Sequence, residues 1–181
     1  ITELLEAIID AFDDTLMLNK LEGDAAFFFA DDDGTHQQAD KILAKMDQAM
    51  QAFSKKAADI AFIQSCPCDP CQQSRNLRLK IFAHKGSYQI KKIRQFEELA
   101  GESVILIHRL MKNSLQSREY WLITESFAVA VAEPEKYRFE TLDETVDDFG
   151  KLALQYKMFS SDAASDATDI LVRNAQWNPL N

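Results

Sequence analysis

The chain reads as an α+β fold, a mostly antiparallel sheet with helices packed on one face. Three observations predict it. Apolar residues recur at spacings of three and four in well-separated segments, the mark of one-sided helices. Between them lie short alternating or apolar runs of strand character. Gly23-Asp24 and Lys85-Gly86 sit between such runs, as hairpin turns do.

Taken in order, Ile1, Leu4, Leu5, Ile8, Ile9 and Phe12 form the stripe of a first helix. Leu16-Met17-Leu18 and Ala25 to Ala30 flank a turn at Lys20-Leu21-Glu22-Gly23-Asp24, giving a first hairpin that gathers a lysine, a glutamate and an aspartate. An acidic turn, Asp31-Asp32-Asp33-Gly34, precedes a long helix from about Gln37 to Ala61, with Ile42, Met46, Ala49, Met50 and Phe53 on one face. The segment Leu77 to His84 alternates as a strand, and Lys85-Gly86 is expected to turn it into a partner at Ser87 to Ile93. Helical spacing returns from about Ser103 to Lys112. Tyr120 to Thr124 and the alternating run Leu152 to Met158 complete the strands.

A helix in full stride at residue 1, without a capping residue, is expected to follow an earlier element. If that element is a strand, the order becomes β-α-β-β-α-β, a ferredoxin-like motif. The strand would be central, so its place in the sheet should be a gap or be filled by another segment. The organisation expected is one domain over residues 1–159, its first strand upstream, and a polar tail over 160–181.

Of the 181 residues 46% are apolar, enough for a real core. Twenty Lys plus Arg against twenty-nine Asp plus Glu give a net charge of −9, which argues against nucleic acid and anionic membrane as partners. A nucleotide remains compatible, because a bound Mg²⁺ brings its own charge. No apolar run approaches the roughly 20 residues of a membrane helix, and no signal peptide is visible; a cytoplasmic protein is expected.

Four segments carry a resemblance. The Lys20-x-x-Gly23-Asp24 hairpin resembles the second-to-third strand hairpin of class III adenylate and guanylate cyclase catalytic domains. Glu98-x-x-Gly101-x-x-Val104-Ile105-x-Ile107-x-Arg109 resembles their Asp-x-x-Gly-x-x-Val-Asn-x-Ala-x-Arg motif. Leu79 to Ser87, with His84-Lys85-Gly86, is similar to a strand ending in His-x-Gly, and Tyr120 to Glu125 to the strand that follows. The whole chain, including its Cys-x-Cys-x-x-Cys loop and Asp147-Asp148-Phe149-Gly150, resembles an uncharacterised bacterial family distantly related to those cyclases.

The resemblance implies a cyclase-like, ferredoxin-like fold and a set of roles. Cyclisation of a nucleoside triphosphate uses two carboxylates holding two metal ions, Mg²⁺ or Mn²⁺. Asp24 matches one of them; the other would lie upstream of Ile1. Lys20 and Glu98 match the base-recognising pair, and Arg109 the transition-state arginine. Ile105 stands where the family has asparagine, and loss of such a positioned polar group commonly costs about 10² to 10³ in rate. Asp147 and Asp148 stand near the place of a phosphate-binding lysine and would repel a triphosphate. Each match also has a purely structural reading. Lys20 suits a solvated edge strand, Glu98 a solvated position, Asp24 a turn, and Arg109 the helix C-terminus or a pair with Glu97 or Glu102.

The three cysteines, Cys66, Cys68 and Cys71, share one Pro-containing loop. Their spacing could wrap one face of a tetrahedral Zn²⁺, with His36, His84 or a partner's residue as fourth ligand. Redox-sensitive or idle thiols are the other main reading, and a Cys66–Cys71 or similar disulfide a lesser one, because an odd number of cysteines argues against a disulfide framework.

The expectation is therefore a degenerate cyclase-like domain, leaning away from catalysis, with a nucleotide-binding, regulatory or dimerisation role; a homodimer is implied by the resemblance alone. The alternatives are a divergent working cyclase (a phosphorus-oxygen lyase) using Asp24 plus an upstream aspartate, and a zinc-stapled protein-interaction domain.

Overall fold

The computed structural model describes residues 1–63 and 76–159. Helix α1 (Thr2–Phe12) leads to a hairpin, β1 (Met17–Glu22) and β2 (Ala25–Phe29), and then to α2 (His36–Ile63). Strands β3 (Lys80–Ala83), β4 (Gln89–Ile93) and β5 (Phe96–Ala100) precede α3 (Glu102–Leu110). Strand β6 (Tyr120–Thr124), the short helix α4 (Glu125–Ala128), a 3₁₀ turn at Pro134–Tyr137, and strands β7 (Glu140–Val146) and β8 (Gly150–Met158) follow. The fold is α+β.

Helix α2 begins at a side-chain cap. Thr35 Oγ1 accepts from the Gln38 amide at 3.3 Å, while Gln38 reaches back to accept from the Asp33 amide at 3.2 Å. Its buried stripe of Ala39, Leu43, Met46, Ala49, Met50 and Phe53 packs on Leu4, Ile8 and Phe12 of α1. The sequence expectation for this helix differs from the structure only at its ends.

The strands form three ladders. β1 pairs antiparallel with β2, β4 antiparallel with β5, and a four-stranded sheet runs β3-β6-β8-β7. Within that sheet β3 lies parallel to β6, and the other two pairings are antiparallel. All five residues of β6 are buried, because it has neighbours at both edges and packing on both faces. Trp121 and Ile123 belong to the cluster built with α1 and α2; Tyr120 and Leu122 belong to a second cluster with Leu106 and Leu110 of α3.

Two expectations are corrected. Helices cover both faces of the central sheet, since the period-2 alternation of β6 sends apolar side chains both ways. The segment Ser87 to Ile93 does not pair with the β3 strand. Its β4 portion pairs with β5, where Lys91 faces Glu98 and Lys92 faces Glu97 across the ladder, and Lys92 Nζ lies 3.4 Å from Glu97. β3 instead finds β6, whose uninterrupted apolar surface it helps to cover.

A cavity of about 1070 Å³ lies between β2 and β3. Among the described residues neither strand has a ladder partner on that side. No helix among the described residues is long and apolar enough to cross a membrane.

Candidate functional site

The β1–β2 turn is built as the sequence implies, with Gly23 at φ +64°, a conformation open to glycine at no steric cost. It brings Lys20 and Glu22 together at 2.8 Å. The hydrogen bond to Glu22, with Glu98 adding a further negative charge, holds the Lys20 ammonium above its ordinary pKa. Lys20 and Glu98 are thus brought within electrostatic reach of one another, although the nearer carboxylate is Glu22.

His108 of α3 extends the group. Its Nδ1 lies 3.6 Å from the second Glu22 oxygen, and its ring stacks on Phe27 with centroids 5.2 Å apart. Asp24, at the tip of the turn, borders the cavity with Glu22. Among the described residues no three His, Cys, Asp or Glu side chains are grouped to hold a metal ion.

Arg109 takes a partner that neither Glu97 nor Glu102 supplies. Its Nη2 reaches Asp148 at 3.3 Å, in the turn between β7 and β8 where Asp148 adopts φ +69°. Ile105, one helical turn earlier, is about half exposed. The α3 surface at these positions therefore offers a hydrocarbon and an already paired guanidinium.

A second polar group, at the C-terminal end of β3, was not foreseen. His84 Nδ1 lies 2.9 Å from Thr124 Oγ1 and 3.2 Å from Ser126 Oγ, and Ser126 donates to the Lys85 carbonyl at 2.7 Å. Burial pushes the His84 imidazole below its ordinary pKa. Gly86 passes so close that a Cβ there would stand 2.6 Å from His84 Nε2 and 2.3 Å from Ser103 Oγ. Nearby, Lys85 pairs with Asp32 at 2.9 Å and the Tyr88 hydroxyl donates to Asp31. These partners are some 40 to 57 residues apart in the chain, and no local pattern announces them.

His36 and His84, the candidate fourth zinc ligands, have structural work. The Nδ1 of His36 lies 2.9 Å from the Ala130 carbonyl, which ties the start of α2 to the segment after α4. Cys66, Cys68 and Cys71 lie outside the described residues, as does the 160–181 tail.

The model of a family described as a protein of unknown function (DUF2652) matches residues 1–120. The chain belongs to DUF2652. Lys20, Asp24, Glu98 and Arg109 all fall within the matched residues, whereas Asp148 does not. This DUF2652 chain is also 35% identical over 158 residues to an uncharacterized protein of Mycobacterium tuberculosis (strain ATCC 25618 / H37Rv), a match that covers 83% of this chain and 73% of the mycobacterial one.

Proposed function

We propose that this DUF2652 chain is a nucleotide cyclase-like domain without turnover, acting as a regulatory and dimerisation module. The observation that carries the reading is the pairing of Arg109 with Asp148, one turn from the exposed Ile105. A transition-state cation contributes when its donors are free to meet charge as it develops on the reacting phosphate. Here a carboxylate of the same chain occupies the guanidinium, and the neighbouring position has no hydrogen-bonding group. Lys20, paired with Glu22 and close to Glu98, supports the same conclusion for the base-recognising side.

The dimerisation part rests on the β4–β5 hairpin. It packs little of its surface, and Ile90, Ile93 and Phe96 are each more than half exposed. An isolated two-stranded ribbon is marginal in water, and a second copy of the chain would cover these side chains.

The test is direct. Purified protein incubated with ATP or GTP and Mn²⁺, followed by chromatography, should form no cyclic nucleotide, and cyclic product at an enzymatic rate overturns the reading. Sedimentation should show a dimer that Phe96→Lys converts to monomer; a monomer at all concentrations removes the dimerisation part.

A further inference from the structure

We infer that Ser103 and His84 form a nucleophile–base pair for acyl transfer, acting on carboxylic esters. The inference is independent of any nucleotide chemistry.

His84 is held in one tautomer. Its Nδ1 lies 2.9 Å from Thr124 Oγ1 and 3.2 Å from Ser126 Oγ, and the two hydroxyl oxygens lie 3.0 Å apart. Ser126 has a single hydroxyl proton, and the Lys85 carbonyl, which can only accept, takes it at 2.7 Å. The Ser126 oxygen therefore accepts from Thr124, and the Thr124 oxygen accepts from Nδ1–H. The opposite tautomer would leave both contacts of Ser126 with Thr124 and Nδ1 without a proton between them. With Nδ1 protonated, the lone pair of the neutral imidazole is on Nε2. Thr124 is 5% exposed, so this chain of donors is built into the end of β6, and Thr124 and Ser126 are positioning residues. Burial holds the ring below its ordinary pKa, which leaves Nε2 unprotonated at neutral pH.

Nε2 and the Ser103 hydroxyl share one space. Both stand within 2.6 Å of the point that a Cβ on Gly86 would occupy, so the two atoms are less than about 5 Å apart, and only glycine at 86 leaves them room. Nucleophile–base pairs are commonly longer than a hydrogen bond before substrate binds. Gly101-Glu102-Ser103 turns from β5 into α3, with Gly101 at φ +137°. Ser103 is thus the second residue of the helix. The Val104 and Ile105 amides return to the Gly101 carbonyl, whereas those of Glu102 and Ser103 have no partner within the helix. Two such N–H groups beside the attacking oxygen fit the oxyanion of a tetrahedral intermediate. Ser103 and His84 are both only partly buried, which leaves them open to a substrate.

In the step, the Ser103 oxygen adds to the ester carbonyl carbon as its proton passes to Nε2. The intermediate expels the alkoxide, which leaves as the alcohol with that proton. Water, giving a proton to Nε2, then attacks the acyl-serine; the acid departs and the proton returns to the Ser103 oxygen. The group on Nδ1 is a hydroxyl rather than a carboxylate, so the imidazolium is less stabilised than in a Ser-His-Asp triad. That selects esters with easily expelled alkoxides over amides.

The test is covalent labelling of the whole chain with a dialkyl fluorophosphonate, whose fluoride leaves as the Ser103 oxygen bonds to phosphorus, followed by mass spectrometry of the peptides. Hydrolysis of p-nitrophenyl acetate is measured in parallel. The label should fall on Ser103 in the folded chain and be absent from the chain unfolded in urea. Ser103→Ala should abolish label and hydrolysis. His84→Gln, which keeps a hydrogen-bonding side chain but no base, should slow both by about 10²-fold or more. Ser54→Ala, at an exposed position of α2, should change neither. Circular dichroism checks that each variant is folded, and the labelled residue is read on the unaltered chain, so the outcome does not hang on a variant's folding. Label on another residue, no label, or equal labelling of folded and unfolded chain overturns the inference. So does nitrophenol release no faster than with unfolded chain, or a folded His84→Gln chain that reacts at the unaltered rate.

Discussion

Leu122 and Ile123 are adjacent in β6, point to opposite faces, and are both fully buried. Truncating either to alanine should be costly, and for separate reasons. Leu122→Ala removes three carbons, worth about 2.4 kcal/mol at about 0.8 kcal/mol per CH₂. The cavity left beneath α3 adds to this, because Tyr120, Leu110 and Leu154 around it are themselves fully packed, so a total of about 3–4 kcal/mol is expected. Ile123→Ala should cost a similar amount against α1 and α2. Urea unfolding is the assay: with a slope of about 2 kcal/mol/M the midpoint should fall by about 1.5–2 M in each variant, with the slope unchanged. Should alanine prevent folding, Leu122→Val and Ile123→Val give the same comparison at about 1 kcal/mol each. If either alanine variant cost less than about 1 kcal/mol, one face of β6 would be open to water, and the two-sided packing would be wrong.

Four further outcomes are expected. Asp148→Asn should change stability by less than about 1 kcal/mol, since the ion pair is exposed, but should raise the affinity for ATP with Mn²⁺ in calorimetric titration by freeing Arg109; unchanged affinity would deny that the pair masks a phosphate contact. Because burial holds His84 below its ordinary value, the folded state binds fewer protons than the unfolded one. Its contribution is therefore complete above about pH 6.5 and lost as pH falls toward the lowered value; His84→Gln should flatten the stability–pH curve in that window, and an unaltered curve would exclude it. The Tyr88 phenol, donating to Asp31 and partly desolvated, is pushed up to about 12, and ultraviolet titration of Asp31→Asn should return it toward 10. Gly86→Ala should cost about 1–3 kcal/mol by driving Cβ against Ser103 and His84, measured by thermal unfolding, whereas Gly23→Ala meets only its backbone penalty and no neighbour.

What the sequence disclosed follows the range of the forces involved. α2 was legible because a repeating apolar stripe lies within the segment itself. β6 was legible because four consecutive apolar residues, Tyr120 to Ile123, admit few other environments. β7 was not recognised: Glu140, Asp143 and Glu144 disguise its inward set of Leu142, Glu144 and Val146. Glu144 is half buried because it accepts from the Ser114 amide and hydroxyl at 3.0 and 2.6 Å, a contact 30 residues away. The Arg109 partner was missed for the same reason, the turn at Asp148 being distant in sequence. The choice of β6 as the β3 partner likewise depends on burial of the assembled sheet, which no window of neighbouring residues reports. At the site, the turn at Gly23 supplied the position of Lys20, while Glu22 and His108 were connected only by folding.

The β4–β5 ribbon leaves the body of the molecule and returns to almost the same point. Gly86 lies against Ser103, and Gly101, at φ +137°, lies against the Ser87 carbonyl and the Tyr88 backbone. Its two stems thus meet like the neck of a loop of string. What hangs from such a neck can be lengthened, shortened or exchanged while β3, α3 and the sheet beneath keep their places. The ribbon is therefore where members of a lineage can diversify their contacts at little cost to folding, and the paired glycine-lined stems are the joint at which such an exchange would be spliced.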